Sequence, residues 1–233
     1  MYEQTQGYAA YQQPVAAIDT ARRAQFITRT YAHLLAAIVG FTAIEVVIFQ
    51  AGLALPIAQA MMSVGWLLVL GAFMLAGWLF SGMAARAQTR PAQYVALAGY
   101  VVAEAVIFVP LLVIAEINAP GAIQSAALLT LVGFGALTGI AMTTSKDFTF
   151  MGGILRWIGV SAFLLIVGSV VFGFQLGMLF SFAMVVFAGA TILYSTSKIL
   201  RTYPEDRYVS AALELFASVA LMFWYVLRIF SRR

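Results

Sequence analysis

Seven long apolar runs, separated by short polar stretches, follow a polar start. They cover residues 31–50, 57–80, 93–115, 123–143, 154–173, 177–195 and 209–230. A bilayer core of about 30 Å is crossed by about 20 helical residues. Each run therefore predicts one transmembrane helix, and the fold class is an all-α integral membrane protein with seven spans. The connections are short, so residues 29–233 read as one transmembrane domain. Residues 1–28 read as a flexible tail that ends in a basic anchor of Arg22, Arg23 and Arg29. Pro110 falls inside the third run, where its missing backbone donor predicts a kink. Gly135 and Gly139 form a GxxxG pair in the fourth, read as ordinary helix packing.

Composition strengthens the membrane reading. Apolar residues make up 63% of the chain and charged residues 9%. A soluble domain carries about 25% charged residues. Too few charges remain to wet this surface, so most of it must face a lipid bilayer. The formal charge is +4, but the basic residues are dispersed between apolar runs, which excludes a nucleic-acid patch. The chain has no Cys, which excludes disulfides, thiolate metal sites and Cys nucleophiles. Residues 1–20 lack the basic start and apolar centre of a cleaved signal peptide. No cofactor is implied.

Charge placement predicts orientation. Arg22, Arg23, Arg29, Arg86, Arg90, Lys146, Arg156, Lys198, Arg201 and Arg207 fall on one side of the seven runs. The alternate connections, near 51–56, 116–122 and 174–176, carry no Lys or Arg. The positive-inside rule then puts the amino terminus in the cytoplasm and the chain in the cell (inner) membrane. Arg228, Arg232 and Arg233 conflict with this count. Either the last helix crosses despite them, or one segment is re-entrant.

Three carboxylates, Glu45, Glu104 and Glu214, lie in or just inside spans. A carboxylate in hydrocarbon is costly unless it is neutral, paired or wet. By these boundaries no Lys or Arg sits deep in a span to pair with them. At 1.5 Å per residue, Glu45 lies about 21 Å along its span and Glu104 about 16 Å, with Glu214 near the cytoplasmic entry of the last. Such staggered depths fit a proton or cation path, and equally fit neutral carboxyls that hold helices together. Glu214, Ser218, Leu221 and Tyr225 share one face of the last helix. Ser195 and Ser197 end the sixth run on the same side. A carboxylate among hydroxyls can bind a hard cation weakly, or simply cap a helix end, so a metal is left unassigned.

Catalytic arrangements are missing. His33, at the start of the first span, is the only His, so an HExxH zinc site is excluded. Ser161 sits in Gly159-Val160-Ser161-Ala162, without the last Gly of a rhomboid-type motif. Gly133-Phe134-Gly135-Ala136 lacks the Asp of an intramembrane aspartyl protease. Lys146 and Lys198 lie outside the runs, so no Schiff-base Lys is available in the last one. The residues do not predict an enzyme.

Several stretches resemble the Bax inhibitor-1 (transmembrane Bax-inhibitor-motif) family, in its bacterial YccA-like branch. The stretch from Ala141 to Gly152, AMTTSKDFTFMG, resembles that family's "tKrDFs.mG" loop. Ile192-Leu193-Tyr194-Ser195-Thr196 resembles "iLYDT". Ala211 to Ser218 resembles "aAl.LYlD", and Leu227-Arg228 the closing "LLR". The entry Phe26 to Tyr31 fits as well. The resemblance implies six helices around a central seventh. For members with an assigned activity it also implies a pH-sensitive calcium leak, latched by two aspartates that share a proton. The positions that match those aspartates are Ser195 and Ser218, neither of which holds a charge. Two readings stay open. One is a pH-modulated cation leak for calcium ions or protons, with an altered gate at Glu214, Ser218 and Ser195. The other is a non-conducting modulator that binds a membrane-anchored protease or another membrane protein, as some bacterial members are thought to do.

Overall fold

The computed structural model describes residues 13–87 and 89–232. Among them are eight α-helices and no strand: α1 Thr20–Gln50, α2 Ala54–Val64, α3 Trp66–Arg86, α4 Arg90–Asn118, α5 Ala122–Thr143, α6 Gly152–Phe172, α7 Met178–Thr202 and α8 Tyr208–Phe230. All but α2 are long and apolar enough to cross a membrane. The protein is an all-α, multi-pass membrane protein.

Three boundaries differ from the sequence reading, each for a local reason. The second run, 57–80, is not one helix. Gly65 takes φ +99°, a conformation open to glycine because it lacks a Cβ, and this breaks the run into α2 and α3. The stretch read as a tail to residue 28 is helical from Thr20, where the Asp19 side chain accepts from the Arg22 backbone N–H at 2.9 Å and caps α1. Ahead of it, Val15 is fully buried and donates its N–H to the Tyr203 carbonyl at 2.8 Å. Arg22 pairs with Glu205. Residues 1–12 of the expected tail lie outside the described residues. Finally, α7 runs on to Thr202, two turns beyond the expected end at 195. This extension brings Lys198 and Arg201 onto a helix.

α8 is the axis of the bundle. Most of it is buried, including Val209, Ala211, Ala212, Leu215 and Leu227. In lipid, helices gain little from hiding apolar surface from one another, so close packing of small residues must hold them together. The small side chains at Ser210, Ala211, Ala212, Ser218 and Ala220 let neighbours approach this helix. α1, α3, α4, α5 and α7 pack on it directly, while α6 leans mainly on α7. α1 and α5 both pack on α8 but meet each other mainly through Tyr31 and Phe134, whose ring centres are 6.4 Å apart, and beyond that contact the ring is open between them. α4 continues through Pro110 and is the second most buried helix.

The last helix crosses the whole bundle. Arg228 and Arg232 both donate to the Leu176 carbonyl, at 3.4 and 2.9 Å, in the connection between α6 and α7. That connection lies at the end opposite the start of α1. The basic carboxyl terminus therefore does not return to the basic end, and no span is re-entrant among the described residues. Gly135 and Gly139 do not form a packing face, because a Cβ at either would meet open space. Close approach occurs instead at Gly189, where the Leu137 side chain lies 3.2 Å from the Cβ position, and at Gly99, which lies under the Phe80 ring.

Candidate functional site at the basic end

The last turns of α7 carry Ser195, Thr196 and Ser197, all buried. Of these, Ser197 finds its partners on the neighbouring connection. Ser197 accepts from the Phe148 N–H at 3.1 Å and donates to Asp147 Oδ1 at 3.2 Å. Arg201, one turn on, lies 3.5 Å from Asp147 Oδ1 and donates to the carbonyls of Ser145 and Lys146 at 3.1 and 3.2 Å. These contacts staple the connection between α5 and α6 to the end of α7. Asp147 also accepts from the Thr149 N–H at 2.8 Å. That hydrogen bond, more than the Arg201 charge, holds its carboxyl below the usual carboxylate range.

α8 supplies the facing side. Ser195 Oγ and Ser218 Oγ stand 3.5 Å apart, longer than a strong hydroxyl hydrogen bond. Ser218 instead donates to the Glu214 carbonyl one turn back, at 3.2 Å. The Glu214 carboxylate turns away from both serines. Lys198 Nζ donates to its two oxygens at 3.1 and 3.0 Å, and the Tyr203 hydroxyl donates at 2.5 Å. Burial, then the Glu214 charge, pushes the Tyr203 hydroxyl well above its ordinary value, so it stays a neutral donor. The Lys198 ammonium lies 5.7 Å from the centre of the Tyr194 ring and 5.6 Å from that of Tyr203. Two ring faces and a carboxylate thus hold one cation.

The expected site residues separate into three places. Ser195, Ser218 and Glu214 meet at the basic end. Glu104 is buried on α4, where its carboxyl faces the Tyr100 hydroxyl one turn earlier. Glu45 is buried on α1, towards the opposite end. No two of the three glutamates share a hydrogen bond among the described residues. Glu214 is paired, although the sequence boundaries offered it no Lys or Arg: Lys198 bonds to its carboxylate. That pair was hidden by ending the sixth run at 195, which put Lys198 in a loop. Asp147, Lys198, Arg201 and Tyr203 were missed as site residues. The spacing of Ser195 and Lys198, three apart on an extended α7, is the signal that would have found the lysine. Among the described residues no three His, Cys, Asp or Glu side chains gather to hold a metal.

Sequence comparison decides the family. The family model described as "Inhibitor of apoptosis-promoting Bax1" matches residues 23–233. The chain belongs to the Bax inhibitor-1 family. The match takes in the Asp147 connection, α7 and α8. This Bax inhibitor-1 protein is also similar to an uncharacterized protein of Pseudomonas aeruginosa, 32% identical over 121 residues. The aligned part is 49% of this chain and 51% of that relative, so the chain spans about half the length of the curated relative it matches.

Proposed function

We propose that this Bax inhibitor-1 protein is a non-conducting modulator that works by binding another integral membrane protein, and not a pH-gated calcium leak. The observation that carries this reading is the state of the family's latch. A proton-sharing latch needs two carboxyl groups close enough that both cannot ionise. Here Ser195 and Ser218 face each other at 3.5 Å and neither titrates. Glu214, one turn from Ser218 on α8, has its carboxylate held by Lys198 and Tyr203. The amino terminus is cytoplasmic on this reading, where residues 1–12 are the candidate contact for a partner such as a membrane-anchored protease.

Calcium flux into proteoliposomes across pH 6–8, together with co-purification of membrane partners by the full chain and by a chain lacking residues 1–12, tests the reading. The expected result is no flux above protein-free vesicles, and partner recovery that falls when the tail is removed. Flux that changes with pH would support the leak instead, with Glu214 as its gate and Glu104 and Glu45 along its path. Partner recovery unchanged by tail deletion would count against the modulator.

A further inference from the structure

A cavity of about 390 Å³ lies between α1, α4, α5 and α8, near the end of the bundle opposite the serines. This size falls within the range of small-molecule sites, roughly 300–1,000 Å³. Its floor is the α8 face of Phe216, Val219, Ala220 and Phe223, and Phe41 and Phe108 flank it. It sits where α1 and α5 fail to close the ring, so its mouth faces the lipid. Thr42, Val46 and Leu131 lie at the cavity and are exposed.

Two polar side chains in this apolar space have no hydrogen-bond partner among the described residues. Glu45 is 7% exposed, and both its carboxyl oxygens are buried without a hydrogen-bond partner among the described residues. The Thr130 hydroxyl, 2% exposed on the opposite wall, is also without one. Native proteins rarely leave a buried carboxyl unsatisfied. The second acid at the cavity is Glu116, and no Lys, Arg or His lines it among the described residues.

We propose that this cavity binds a membrane-partitioned amine: an apolar molecule with one ammonium group, which enters from the lipid between α1 and α5. The ammonium donates to Glu45 and packs against the ring faces of Phe41 and Phe223, which attract cations. Thr130 supplies a second acceptor. The apolar body fills the space over the α8 floor. Other ligand classes fit less well. An anionic amphiphile would set its head against two glutamates. A bare calcium ion takes six to eight oxygen ligands, and phenylalanine walls cannot replace its hydration shell. A neutral chain would fill the cavity but leave Glu45 unsatisfied. This inference does not rest on the modulator reading, because the cavity and the serine pair lie on different faces of α8.

The test uses the full chain in nanodiscs with a diazirine-bearing dodecylamine, photolysed and mapped by peptide mass spectrometry. Labelling is expected on the cavity-facing peptides of α1, α5 and α8. Dodecylamine should displace it at least tenfold more effectively than dodecanol, and dodecanoate should not displace it. E45Q should weaken labelling about tenfold, and A127F, which narrows the cavity but keeps Glu45, should also reduce it. Labelling elsewhere, equal displacement by dodecanol or dodecanoate, or full labelling of folded E45Q would each overturn the proposal. The displacement series needs no variant, so it decides the matter even if a substitution fails to fold.

Discussion

At the scale of single residues, the basic end is held by the Lys198–Glu214 pair and by the contacts of Asp147. Lys198 and Glu214 are each partly exposed, so their pair is worth less than a fully buried one. Lys198→Met leaves Glu214 with Tyr203 alone and should cost about 1–2 kcal/mol, the scale of a charged hydrogen bond with solvent screening. The thermal midpoint in detergent should fall by a few degrees, and K198M/E214Q should recover part of that loss. If the double variant is worse than the sum of the singles, the two side chains do not act as a pair. Asp147 gives a prediction with a sign. Its carboxyl lies below the usual range, so its tie to Thr149 and Arg201 is present above about pH 4, the ordinary aspartate value. The tie is lost only as pH falls through the lowered folded value. The protection of amides 144–151 relative to their intrinsic exchange rates should therefore stay constant from pH 8 to 5, and D147N should lower that protection at neutral pH. Loss of protection between pH 7 and 6 would refute this account of the loop.

At the scale of helices, packing depends on where small residues meet a neighbour, and sequence spacing alone misjudges this. The GxxxG pair Gly135 and Gly139 faces open space, whereas Gly189 lies against Leu137. Ala at 135 or 139 should be neutral or stabilising by up to about 1 kcal/mol, because alanine is the better helix former. Gly189→Leu should overpack the α5–α7 contact and cost about 1–3 kcal/mol. Equal thermal shifts for the two kinds of variant would show that the α5–α7 approach is wrongly placed. The seven crossings were legible because a run of some twenty apolar residues has few alternatives in lipid. The break at Gly65 was not legible. A glycine inside an apolar run looks the same whether the helix continues or stops. The length of α7 was not legible either, because its last two turns are polar and read as loop. That one boundary concealed both Lys198 and Arg201.

At the scale of the whole molecule, two arrangements explain the rest. The carboxyl terminus lies at the end opposite the start of α1, with Arg228 and Arg232 on the Leu176 carbonyl. A reporter fused there should sit on the other side of the membrane from one fused at the amino terminus. Reporters on the same side would contradict seven full crossings. The central position of α8 places Ser218 against Ser195, and the family motifs allowed that meeting to be anticipated. They could not show where Glu214 points, because its partner comes from the far end of a neighbouring helix. The central claim is that this meeting point lacks a titrating latch. The most direct measurement is calcium flux in proteoliposomes from pH 6 to 8 for the wild-type chain and for S195D/S218D, which places two carboxyl groups where the serines stand. The account predicts no pH-dependent flux in the wild type and pH-dependent flux in the double variant. PH-dependent flux through the wild-type protein would contradict it.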